Sequence, residues 1–457
     1  MKRSPPSFDA SRRRLLSGLA TAGAGAAVLS ACGSDPQSQA EAPLPAPQDI
    51  PIDRFVVVMM ENRSFDHYLG WVPGADGIQA GMNFIDKNGQ THATYALGPQ
   101  RYDGCGVFDP NHGYDGGRTH FNGGLLDGFL QTVPEGTDIF PIGYYGADDL
   151  PFYKAVAEHY TVCDRYFSGL LASTYPNRMY MHTGQTDRAS NTFDISALPT
   201  IWDRLRAQGL GGRYYFSDIP FTALFGTRHL DISRPVAQFF LDAALGTLPE
   251  LSFVEPRFLG EGQGVSNDDH AAGADIRNGQ AFLTSIYEAL RTGPQWERTA
   301  MIVVYDEWGG FFDHVPPPLR AVSEAEAALP NDGRLGFRVP CVVLSPYARR
   351  GQVYKGELEP NAVLDAVRYR FGLEPLSVRS DRAGNILRAF DFAAAPNLDP
   401  PAFPSVPLVP TLCREEVPLI GGLLQALPTV SGAATKSDEH EDMRQLKQLA
   451  RKFGFGV

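Results

Sequence analysis

Six apolar residues in a row, Phe55 to Met60, end abruptly in Glu61, Asn62, Arg63, Ser64, Asp66 and His67. An unbroken apolar run of this length, closed by a polar turn, predicts a strand covered on both faces, as in a parallel sheet. The grammar recurs in "TAMIVVYD" (299–306), where Met301 to Tyr305 lead to Asp306 and Glu307, and "VPCVVLSP" (339–346) supplies a third run. Amphipathic stretches lie between them. "ADIRNGQAFLTSIYEALRTG" (274–293) has apolar residues near i, i+3/i+4 spacing and predicts a helix stopped at Gly293. Strand and helix alternating in this way predict a three-layer α/β domain with a mostly parallel central sheet. No period of about 20 to 50 residues repeats, which excludes a solenoid or propeller.

In open α/β sheets, ligands bind just beyond the carboxyl ends of the strands. Glu61, Asn62, Asp306 and Glu307 stand at such ends. Were their two strands neighbours, three carboxylates would crowd together and call for a neutralising cation. An all-oxygen donor set suits one hard divalent ion such as Mg²⁺, Ca²⁺ or Mn²⁺ and leaves its identity open. In "LASTYPNRMYMHTG" (171–184), Ser173 and Thr174 precede Pro176, a residue favoured in the first turn of a helix. Such hydroxyls ordinarily cap the helix. The same place offers N–H groups to a phosphate, and a hydroxyl touched by a metal becomes a nucleophile. His112, His270 and the pair Asp313–His314 lie in polar, acidic loops. Groups titrating near neutrality suit proton transfer to a leaving oxygen.

The 457 residues are 43% apolar, 20% charged and 11% aromatic, the composition of an ordinary globular protein with a sizeable core. A net charge of −12 excludes nucleic acid as a partner, because a phosphate backbone would be repelled. The amino terminus is expected to stand outside the fold. "SRRRLLSGLATAGAGAAVLSAC" (11–32) resembles a twin-arginine export signal closing in a lipobox, with Cys32 as the lipidated residue. Export to the periplasm or cell surface with a lipid anchor follows as an expectation. Residues 33–51 read as a flexible tether, 52–399 as the catalytic domain, and 400–457 as an extension packing on it. That extension is proline-rich at first and charged and helix-like from Ser437. Cys105, Cys163, Cys341 and Cys413 show no CxxC spacing, which disfavours a thiolate metal site. Cys163 and Cys341 sit in apolar runs and read as buried thiols, while disulfide pairing stays open.

The blocks "ENRSFDHYLG", "STYPNRMYMHTG" and "PQWERTAMIVVYDEWGGFFDHVPPP" together resemble the bacterial phosphoesterase family of phospholipases C and acid phosphatases, related to alkaline phosphatases. The resemblance spans roughly residues 52 to 390. It implies an alkaline-phosphatase-like fold and phosphoryl transfer through a covalent intermediate, on a phosphate ester substrate such as a phospholipid. By motif it implies Glu61, Asn62, Asp306 and Glu307 as metal ligands, joined by Thr174, which matches the nucleophile ahead of Ser173. It further implies His112 and His270 as phosphate-binding or proton-donating groups, with Asp313 and His314 matching the "DHV" of the family. Trp308 stands where relatives commonly have His, and Pro360 replaces a His of a late helix. Phospholipase C activity is the leading expectation. A phosphomonoesterase and a catalytically silent phosphate-binding lipoprotein are the alternatives.

Overall fold

The structure, a computed structural model, describes residues 43–134, 138–260, 262–413 and 438–457. The export signal, Cys32 and most of the tether lie outside the described residues. Leu44–Val457 forms one compact unit.

Its centre is an eight-stranded sheet. In chain order the strands are β1 (Arg54–Met60), β2 (Thr161–Cys163), β3 (Gly212–Phe216), β4 (Ser233–Pro235), β5 (Leu251–Val254), β6 (Thr299–Tyr305), β7 (Cys341–Leu344) and β8 (Gln352–Tyr354). Across the sheet they run β8-β2-β7-β6-β1-β5-β3-β4. All neighbours are parallel except around β7, which runs against both β6 and β2. The three apolar runs are therefore strands, and the third is the reversed one. Burial explains their unbroken apolarity. Phe55 through Met60 and all of β6 are buried, so both faces of each strand are covered and their central residues are apolar.

Helices cover both faces. Successive strand residues point to opposite sides. Tyr214 packs its ring 5.8 Å from His182 of α4 (Thr174–Thr183). The next residue, Tyr215, packs 5.4 Å from Phe239 of α6 (Val236–Leu245). On the first side α4 packs with α5 (Ile201–Ala207) and α8 (Pro360–Phe371); on the other, α6 and α3 (Pro151–His159) pack on α7 (Ile276–Arg291). This is the three-layer architecture expected. α7 begins at the Asp275 cap, whose side chain accepts from the Arg277 amide, and ends two residues before Gly293. Gly293 instead closes a turn by donating its N–H to the Leu290 carbonyl.

Two connections brace the carboxyl edge of the sheet. A disulfide joins Cys105 to Cys413, tying the loops before α2 (Tyr114–Phe121) to the proline-rich segment. Cys163 and Cys341 are buried free thiols. The carboxyl-terminal helix α9 (Asp438–Lys452) buries Met443, Leu446 and Ala450 and packs on the turn Phe221–Phe225. Among the described residues no helix is long and apolar enough to cross a membrane.

Candidate active site

β1 and β6 are paired in parallel with Met60 opposite Tyr305, so the residues that follow leave the sheet side by side. Glu61, Asn62, Asp306 and Glu307 are each at most 1% exposed. The Asp306 carboxylate knits the two exits together, its Oδ1 accepting from the amides of Asn62 (3.2 Å) and Glu307 (2.8 Å). Asn62 has φ +60°, a left-handed conformation that Asn tolerates better than most residues. Gly309, at φ +63°, lies so near that a Cβ there would stand 2.1 Å from the Asn62 carbonyl oxygen. Only glycine allows that approach.

The helix bearing the hydroxyls arrives from the neighbouring layer. Ser173 occupies the N-cap position without a side-chain capping bond, and Thr174 is the first helical residue. The Thr174 hydroxyl donates to Glu61 Oε1 at 3.4 Å, and the residue is fully buried. Of the two candidate hydroxyls, this is the one directed at the carboxylates.

His112 comes from the glycine- and aspartate-rich insertion and places Nε2 3.5 Å from Asn62 Nδ2. Its Nδ1 donates to the Pro110 carbonyl at 2.7 Å, which makes Nε2 the lone-pair nitrogen of the neutral ring. His270 stands 6.4 Å from it, ring centre to ring centre. Asp109 pairs with both, at 3.8 Å from His112 Nδ1 and 3.3 Å from His270 Nε2. The loop carrying His270 is locked in place. The Asp268 carbonyl accepts from the Glu61 amide, and Asp269 holds φ +74° while its carbonyl accepts from Arg63.

Seven of the nine expected site residues thus come together: Glu61, Asn62, His112, Thr174, His270, Asp306 and Glu307. Asp313 and His314 belong to a second cluster. The buried Arg338 guanidinium lies 3.0 Å from Asp66 Oδ1 and 2.9 Å from Asp313 Oδ1, and His314 Nδ1 lies 2.5 Å from Asp66 Oδ2. Asp66, Asp313 and His314 offer ligand atoms within 4.8 Å of one another, so this group is a possible ligand set. Arg338, however, already supplies it with a cation. Burial opposes charge on His314, but the hydrogen bond and charge of Asp66 outweigh it and raise its pKa.

Sequence reasoning missed three contributors. Arg178, four residues after Thr174 on the same helix, reaches Asp306, Glu255 and Glu61. Burial works against its charge, yet these carboxylates prevail and raise its pKa. Glu255 follows β5 as Glu61 follows β1, the same apolar-run-then-carboxylate signal in "LSFVEP", and burial pushes its pKa up to about 7. Asp109 is legible only as one of several loop acids.

The donor set suits a hard divalent cation. Three buried carboxylates (Glu61, Glu255, Asp306) share one guanidinium, Glu307 adds a fourth next to Asp306, and the Asn62 carboxamide and Thr174 hydroxyl add neutral oxygens. The two departures from the family pattern also find physical accounts. Trp308 points into an apolar cluster with Phe129, Leu171, Phe312 and Phe337 and donates its indole N–H to His120 Nδ1 at 3.1 Å. Pro360 opens α8 behind the Glu359 cap, a position where a missing N–H costs nothing.

Residues 52–374 match the phosphoesterase family, and the chain belongs to that family. It is 32% identical to non-specific phospholipase C1 of Arabidopsis thaliana over 78% of this chain and 74% of that one. It is 29% identical to phospholipase C A of Mycobacterium tuberculosis over 93% of this chain and 94% of that one. The protein is accordingly a hydrolase of phosphoric ester bonds, with phospholipase C-like relatives. Similar solved structures include a protein of the alkaline phosphatase superfamily from Vibrio parahaemolyticus (9% identity, 75% and 71% coverage, TM-score 0.36). Another is the phosphonate monoester hydrolase of Agrobacterium radiobacter (12% identity, 71% and 74% coverage, TM-score 0.35).

Proposed function

We propose that the protein is an exported, lipid-anchored, metal-dependent phospholipase C-like enzyme that transfers the phosphoryl group through Thr174. The observation carrying this reading is the Thr174 hydroxyl, buried at the start of a ten-residue helix and 3.4 Å from Glu61 Oε1. A divalent cation held by oxygens of Glu61, Asn62, Asp306, Glu307 and Thr174 would supply Lewis-acid polarisation of a phosphoryl oxygen and help ionise the hydroxyl.

The chain's own groups account for the remaining steps. Glu61 accepts the Thr174 proton as Oγ1 attacks phosphorus. The amides at the start of α4 face the phosphoryl oxygens. As the bond from phosphorus to the leaving alcohol breaks, the pair His112 and His270, held in their acidic setting by Asp109, supplies the proton to the departing alkoxide. Water then attacks phosphothreonine and delivers its proton to the same histidines; as the bond from phosphorus to Oγ1 breaks, Glu61 returns its proton to Oγ1, releasing the phosphomonoester with Thr174 and Glu61 restored. Asp313 and His314 brace the β1 exit through Asp66 and Arg338 and act at one remove from the reaction.

Chromogenic phosphate mono- and diesters, assayed with and without chelator, test the proposal. Diester turnover that chelator abolishes is expected. Monoester turnover alone would make the enzyme a phosphatase, and activity untouched by chelator would remove the metal.

A further inference from the structure

Thr174 and Arg178 share one face of α4, a helical turn apart, and Arg178 is 1% exposed. Its guanidinium lies against a pair of edge-to-face aromatic rings, 4.6 Å from the Phe221 centroid and 4.7 Å from that of Phe258. Every nitrogen of the fork is engaged. Nε donates to Asp306 Oδ2 at 3.1 Å, Nη1 to Glu255 Oε2 at 2.5 Å, and Nη2 to the Met60 carbonyl at 3.3 Å while standing 3.5 Å from Glu61 Oε2. Glu61, Asp306 and Glu255 follow β1, β6 and β5, which are adjacent in the sheet. One planar cation therefore ties together the carboxyl ends of the three central strands. A lysine ammonium would keep the charge but lacks the planar fork that reaches all three strand ends at once.

We propose that Arg178 is a resident counter-cation and positioning residue of the metal cage, which it holds assembled before any metal enters. It grips Glu61 by Oε2, and this turns Oε1 toward the Thr174 hydroxyl. It fixes Asp306 by Oδ2 while backbone amides take Oδ1. The nucleophile and the clamp on the ligands ride on the same helix, so their spacing is set by helix geometry. Carboxylates crowded this closely would otherwise repel one another and drive the strand ends apart. This inference rests on the reading of Glu61 and Asp306 as metal ligands.

The test is calorimetric titration of chelator-treated, full-length protein with Mn²⁺, together with thermal unfolding with and without Mn²⁺. Wild type, Arg178→Lys and Arg178→Met are compared. Wild type is expected to be folded without metal and to bind Mn²⁺. Arg178→Lys keeps the charge but loses the fork, and its Mn²⁺ affinity should fall at least about tenfold. For Arg178→Met, the Tm without metal should drop much further than the Tm with Mn²⁺, giving a larger metal-induced shift than in wild type. A merely structural arginine would lower both Tm values equally. Wild-type affinity in Arg178→Lys together with an unchanged metal-induced shift in Arg178→Met would overturn the proposal. If Arg178→Met fails to fold even with Mn²⁺, the Arg178→Lys titration decides. Absence of Mn²⁺ binding to wild type would overturn the metal reading first, and this inference with it.

Discussion

Met60 and Tyr305 are the last register partners of the two central parallel strands, and this pairing brings Glu61 and Asp306 out of the sheet side by side. A one-residue slip would send their side chains to opposite faces.

Thr174→Ala should abolish turnover while the melting curve stays close to that of wild type, because the substitution removes one hydroxyl worth ~1 kcal/mol as a hydrogen bond and the whole covalent route. Thr174→Ser should keep partial activity. Ser173→Ala should be nearly silent, since the Ser173 side chain makes no capping bond. Rapid quenching with phosphorus-labelled substrate should place the label on a peptide at Thr174; label on Ser173 would reverse the assignment.

Asp306→Asn should reduce activity strongly, with partial recovery at high metal concentration. The carboxylate is fully buried, bonded to two amides and paired with Arg178, so the amide side chain keeps the volume and loses the charge. Assays across a metal series read the outcome. Full activity of this variant in chelator would remove Asp306 from the metal cage.

Stability should fall on mild acidification. Burial holds His120 and His182 at about 3, against an ordinary value of 6.5. Below about pH 6.5 the unfolded chain takes up protons that the folded protein refuses, so stability is full above that pH and declines toward pH 3. At pH 5 the loss should be about 2 kcal/mol for each histidine. His182 sits among the rings of Trp202, Tyr214, Phe225 and Phe253, and neither ring nitrogen has a hydrogen-bond partner among the described residues. His182→Phe should therefore flatten the dependence, read from denaturant unfolding at pH 7 and pH 5. An unchanged slope would show that His182 titrates normally in the folded state.

Trp308→Phe should destabilise the protein by about 1–3 kcal/mol, because it strands the buried His120 nitrogen that accepts the indole N–H. KM should hardly change, since the side chain faces the apolar cluster. A large rise in KM with intact stability would instead place Trp308 at the substrate.

Changing Arg12 and Arg13 together to Lys should keep the protein in the cytoplasm, and Cys32→Ala should release it from the membrane fraction. Cell fractionation reads both. Normal export of the first variant would exclude the twin-arginine route, and membrane retention of the second would exclude the lipid.

The acidic strand ends and the helix-entry hydroxyls were legible because each lies within a residue or two of an element boundary that local pattern marks. Strand ends follow from apolar runs closing in acids, and a helix entry follows from Ser-Thr ahead of Pro176. Arg178 was printed inside the same motif, yet its partners Glu255 and Asp306 lie 77 and 128 residues away, so nothing local announced them. Asp313 and His314 were expected at the site as polar groups in an acidic loop and as a match to the "DHV" of the family. The chain instead turns them toward Asp66 and Arg338.

The sequence by itself determined the elements: runs that must be buried on both faces, a helix stripe, and the chemistry available where they end. Those are local consequences of side-chain periodicity and hydrophobicity. Tertiary structure decided which ends meet. Strand order, the reversal of β7, the meeting of the Thr174 hydroxyl with Glu61 and the charge balance around Arg178 depend on contacts between residues far apart in the chain. Such contacts are set by packing the whole sheet between its two helical layers, and no window of sequence contains them.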